Sequence, residues 1–151
     1  MALEIFLPAK HTQFMEVGMS TRNILRRRNM HLNSYTYVLY SSNIEETLEH
    51  LFLECTFARA CWNLLDINLP SNIDVQWRLQ IIKDKLNSPF FMNASLMCTT
   101  IWSARNDLIF KRIQANIQTS KEIFKREISL LLHRIKDTLA NSLGTWIQSL
   151  P

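Results

Sequence analysis

The stretch TYVLYSSNIEETLEHLFLECTFARACW, residues 36–62, sets the reading of the whole chain. It passes from β-branched and aromatic residues through a Ser-Ser-Asn turn into two segments of helical period. It also holds the only spacing that points to a particular chemistry. Two residues separate Tyr37 from Tyr40, nine separate Tyr40 from His50, and four separate His50 from Cys55. With cysteines at 37 and 40 the pattern C-x2-C-x9-H-x4-C would be a structural zinc site. The chain has tyrosines there, so the stretch speaks more clearly of descent than of present chemistry.

Working outward, Tyr35 to Tyr40 is the best strand candidate, closed by a turn at Ser41, Ser42 and Asn43. Glu45 and Glu46 are read as the acidic first turn of a helix carrying Leu48, Leu51, Phe52 and Cys55 at period 3.6. A second helix from Thr56 or Phe57 places Ala58, Cys61, Trp62 and Leu65 on one stripe and breaks at INLPSN, where Pro70 sits in the turn. Upstream, a basic helix starts at a Ser20 or Thr21 cap and runs to about His31–Asn33. Downstream, 73–86 is amphipathic, with Val75, Leu79, Ile82 and Leu86 inward and Arg78, Lys83 and Lys85 toward water. Residues 90–113 read as a central helix with Trp102, like Trp62, in the core. Thr119 and Glu122 read as a capping box for a last long helix with the stripe Phe124, Ile128, Leu131, Ile135, Leu139.

The chain has 151 residues, 47% apolar and 20% charged, with only two glycines and four prolines. That length supports one domain with a real core, and so little turn chemistry favours helices over sheet. The expected fold is mainly α, about five or six helices, with at most a short β-hairpin around residues 35–43. The expected organisation is one domain: an N-terminal edge at 1–19, the zinc-type region at 20–66 and a C-terminal helical region at 67–151 packed on it. Three cysteines without a disulfide rhythm, and no recognisable signal peptide, favour an intracellular place, nucleus or cytoplasm, over secretion. Residues 86–104 carry no charge but are too polar for a membrane span.

The net charge is +4, and residues 1–30 alone hold five basic and two acidic side chains. Arg22, Arg26, Arg27 and Arg28 make that imbalance and are the candidate phosphate contacts for weak RNA or DNA binding. The competing reading is a solvated helix face, since three consecutive arginines point in three directions. No nucleophile elbow, phosphate loop or paired-carboxylate motif is present, so no catalytic residue is assigned and no enzyme or small-molecule substrate is expected.

With these residues in view, the chain resembles the zinc-binding domain at the C-terminal end of plant LINE-type (non-LTR) retrotransposon reverse transcriptases. The resemblance rests on STRNILRRRNM at 20–30, EETLEHLFLECTFARACW at 45–62 and IWSARNDLIF at 101–110. It implies a non-catalytic accessory module of a retroelement protein, nucleic-acid-associated and zinc-binding in intact relatives. It makes His50 and Cys55 remnant metal ligands, with Tyr37 and Tyr40 occupying the other two positions and Thr56 where the family usually has proline. The polymerase signature Tyr-x-Asp-Asp is absent. A detached copy with a decayed site is therefore expected, and no cofactor. The alternative is a helical protein-interaction module using residues 90–113 and 120–143.

A phenol of pKa about 10 must lose its proton to bind metal, so two good ligands have become two poor ones. Structural zinc contributes about 10–16 kcal/mol to folding in small domains, most of which vanishes with half the ligands. Purified protein is thus expected to carry well under one zinc per chain, and a chelator should leave its helical circular dichroism unchanged. Stoichiometric zinc whose removal unfolds the protein would overturn the decayed-site expectation.

Overall fold

The computed structural model describes residues 21–36, 39, 44–86 and 91–150. Over these the protein is mainly α-helical, as the sequence indicates. The helices are α1 (Arg22–Arg27), α2 (Thr56–Asn63), α3 (Val75–Lys85), α4 (Phe91–Asn106), α5 (Ile117–Leu132) and α6 (Asp137–Ser149). Two π-helical turns, His50–Glu54 and Asp107–Lys111, complete the set. In place of a hairpin, the described residues show one isolated antiparallel bridge, Thr36 to Glu45. Tyr37, Val38 and residues 40–43 lie outside the described residues.

The segment 48–63 forms the floor of the core through a change of helical period. Leu51, Phe52 and Leu53 are all buried, which an α-helix with one inward stripe cannot achieve. The wider π-turn brings the three consecutive side chains inside, closing with the Cys55 amide on the His50 carbonyl at 2.9 Å. Cys55 is extended and caps α2, its sulfur accepting the Ala58 amide at 3.1 Å. The turn folds back on α2 through the indole N–H of Trp62, which donates to the Phe52 carbonyl at 2.7 Å. α2 ends at Asn63, and the chain turns away past it at Asp66, whose φ is left-handed at 57°, with the Ile67 amide reaching back to the Trp62 carbonyl.

Above this floor α4 packs on both α2 and α5, and α6 packs on α5. Ala94, Met97, Cys98 and Ile101 form the buried stripe of α4, facing Phe124 and Ile128 of α5. α3 adds Leu79 and Ile82, and Leu86 follows at its C-cap.

Several local expectations change. Arg78 is only 4% exposed, not solvated. It donates to the carbonyls of Pro70 at 3.0 Å and Ser71 at 2.8 Å and pairs with Glu54 at 2.9 Å. It therefore fixes the loop that the sequence marks as a break. α1 stops at Arg27, earlier than expected, because Asn29 turns left-handed (φ 56°) and the Met30 amide bonds the Leu25 carbonyl. α5 is capped by Asn116, whose side chain accepts the Thr119 amide at 3.1 Å, so the expected capping box does not form. Glu122 instead receives the Gln118 side chain. The long C-terminal stripe is divided: α5 ends at Leu132 and α6 begins at Asp137, so Ile135 and Leu139 do not continue the α5 face. Trp102 is half-buried, packed against the core rather than within it. No helix among the described residues is long and apolar enough to cross a membrane.

Ile128 has no solvent exposure, whereas Leu130, two residues on, is 53% exposed. Ile128→Ala is expected to lower unfolding stability by about 2–5 kcal/mol. Leu130→Ala should stay within about 0.5 kcal/mol. Denaturant titration of the two variants checks the packing of α5 directly.

Candidate nucleic-acid interface

α1 is a six-residue helix none of whose residues is buried. So short a helix, whose apolar residues Ile24 and Leu25 are only half-buried, needs other fastenings. The sequence offers Thr21 as cap, but its hydroxyl makes no capping bond and lies buried without a partner. The acceptor comes from across the chain instead. The Glu46 carboxylate takes the Arg22 amide at 2.9 Å, and the Glu46 backbone carbonyl takes the Asn23 amide at 3.2 Å. Glu46 is thus not the exposed opening of a helix. It is a carboxylate of 0% exposure, placed just past the Thr36–Glu45 bridge, with its own amide on the Tyr35 carbonyl.

Such a charge needs a buried countercharge. Arg105, at the C-terminal end of α4 and 59 residues away in sequence, supplies it: Nη2 lies 2.5 Å from one carboxylate oxygen and Nε 3.2 Å from the other. The fork geometry is bidentate, and the guanidinium also stacks over Trp102 at 4.8 Å and donates to the Asn106 side chain at 3.1 Å. Losing one partner of such a pair costs about 3–5 kcal/mol, because the other is left charged and buried. The segments 21–30, 45–62 and 101–110 therefore converge on one carboxylate.

The four candidate arginines fall into two groups. Arg22 turns its guanidinium inward onto the carbonyls of Ser34 at 3.2 Å and Thr36 at 3.1 Å. Arg26 pairs with Glu45 at 2.6 Å and lies over the Tyr35 ring at 5.7 Å. The Tyr35 hydroxyl donates to the Met30 carbonyl at 2.8 Å, pinning the chain after the helix. Arg27 and Arg28 are exposed and make no side-chain hydrogen bond or ion pair to another described residue. Arg22 and Arg26 thus engage protein acceptors, Arg26 with a side chain still 54% exposed, while Arg27 and Arg28 have none among the described residues.

His50 and Cys55, which the resemblance makes remnant ligands, are both buried. His50 Nδ1 lies 3.6 Å from the Glu54 carboxylate, and the Cys55 thiol donates to the Leu51 carbonyl while its sulfur caps α2. Tyr37 and Tyr40 lie outside the described residues, so the four-residue pattern is not seen together. His31 is exposed. Among the described residues, no group of three or more His, Cys, Asp or Glu side chains is placed to hold a metal. The Cys61 thiol is pushed up to about 12, first by burial and second by the nearby Cys55. Burial alone takes Cys98 to about 12.

Sequence reasoning missed Glu46, Arg105 and Arg78 as organising residues. The arginines left a signal: Arg105 follows Ile101 by four positions on the α4 stripe, and Arg78 precedes Ile82 by four on the α3 stripe. A charge on a buried stripe implies a partner. Glu46 left none. No protein-family model, curated protein or solved structure matches this chain.

The buried thiols give a direct test. At pH 8 Cys61 and Cys98 hold their protons, so native protein should react only slowly with an aromatic disulfide reagent, and all three cysteines should react at once in denaturant. Above their ordinary pKa of 9.0 the unfolded thiols release protons that the folded ones keep, so stability should fall as pH rises from there toward 12. A rapid stoichiometric reaction of native protein would contradict this burial.

Proposed function

We propose that the protein is a non-catalytic, nucleic-acid-associated module of the kind found beside retroelement reverse transcriptases, retired from metal binding and retaining weak phosphate contact. The observation that carries the reading is the pair Arg27 and Arg28. Both are exposed at the end of α1 with no protein acceptor among the described residues, beside the Arg26–Tyr35 stack. Guanidinium forks suit phosphate oxygens, and an adjacent aromatic suits a stacked base. The resemblance of the three quoted segments supports the same reading. Two guanidinia without an acceptor among the described residues make a small electrostatic footprint, consistent with non-specific affinities on the order of 10⁻⁴–10⁻⁶ M.

A second reading has its own support. Phe110 is 76% exposed and Ile113 53%, both at the end of the Asp107–Lys111 turn. Exposed apolar side chains of this size favour a protein-interaction module. Its mark would be self-association that does not weaken with salt.

Each phosphate contact contributes about 0.7 to the slope of log affinity against log salt on single strands. Arg27→Gln with Arg28→Gln should therefore flatten that slope by about 1.4 on single-stranded RNA, independent of base sequence. The helix should persist, because Gln is close to Arg in helix propensity. If the double variant binds as the parent does, phosphate contact by these two side chains is wrong.

A further inference from the structure

The fastening of α1 differs from that of the other described α-helices. α2 to α6 each bury apolar side chains, whereas α1 buries none. Its first two amides are held by Glu46 alone, one by the carboxylate and one by the backbone carbonyl. The Thr21 hydroxyl, which would ordinarily cap the helix, is buried and unpartnered. The carboxylate is held in turn by Arg105 of α4. Two of the four arginines on or beside α1 depend on this arrangement for their orientation: Arg22 toward Ser34 and Thr36, and Arg26 toward Glu45.

We infer that the Glu46–Arg105 pair is a latch that keeps α1 docked as a separately opening strap, and that docking withholds Arg22 and Arg26 from phosphate. Six residues lie well below the length at which an isolated helix persists, so release from Glu46 melts α1 rather than freeing it as a rod. Melting removes the geometry that points Arg22 and Arg26 at protein acceptors. The latched form presents Arg27 and Arg28, and the open form presents all four arginines. A polyanion then shifts the balance toward the open strap, because it gains more contacts there. The withholding rests on the nucleic-acid reading; the latch does not.

The test separates the two. Native-state hydrogen exchange on the full-length protein should show the amides of Arg22 and Leu25 exchanging faster than those of α4 and α5, through an opening that leaves the core closed. In the paired variant Glu46→Met with Arg105→Met no buried charge is left alone, so the core should stay folded. There the α1 amides should lose protection selectively. Its slope of log affinity against log salt on single-stranded RNA should rise from about 1.4 to about 2.8, the values for two and four contacts. Equal protection of α1 and the core in the parent protein, or its persistence in the paired variant, overturns the latch. Simultaneous loss of protection everywhere overturns the separate strap. A selective loss with an unchanged slope overturns the withholding, as does an absence of RNA binding in both proteins, which also ends the nucleic-acid reading.

Discussion

A carboxylate with no solvent contact must find donors for both of its oxygens, and the way Glu46 meets that demand shapes the rest of the structure. Arg105 reaches both oxygens in a fork, and the Arg22 amide adds a third donor. The first partner lies on the central helix and the second at the start of the basic one. The requirement is electrostatic, since a buried charge left alone would cost more than most single contacts return. It places α1 against the helical body even though α1 buries none of its own side chains fully.

The same logic recurs at Arg78, where a buried guanidinium meets two loop carbonyls and the Glu54 carboxylate. Both sites exploit the property that separates arginine from lysine, a planar array of donors that serves several acceptors at once. One secures the turn between α2 and α3, and the other joins the N-terminal segment to α4. The apolar core between them is assembled by shape, with a π-turn admitting three consecutive large side chains at 51–53. Polar ties at the rim and apolar packing in the middle divide the task of specifying the fold.

For the candidate interface this division has a consequence. Counting positive charges along 22–28 overstates what is available to a ligand, because intramolecular acceptors engage half of them. Arg22 and Arg26 resemble Arg27 and Arg28 in sequence and differ from them only in what lies nearby. Carbonyls from 34–36 and a carboxylate from 45 take the first two, while solvent takes the others.

The helical class, the Pro70 break and the buried stripe of α2 were legible in the sequence, because periodicity and turn chemistry are local and survive any tertiary arrangement. Ala58, Cys61, Trp62 and Leu65 announce an inward face by spacing alone. The roles of Glu46, Arg105 and Arg78 were not legible, nor was the split among the arginines. Each depends on a partner distant in the chain, and a charged residue reads as solvated until its partner is known. The division of the C-terminal stripe near Leu132 was equally hidden, since Ile135 and Leu139 keep the period while the backbone does not. Sequence alone determined which segments are helical and which side chains seek the interior. Tertiary structure decided which charges would be buried, because only the folded chain brings donors and acceptors close enough to replace water.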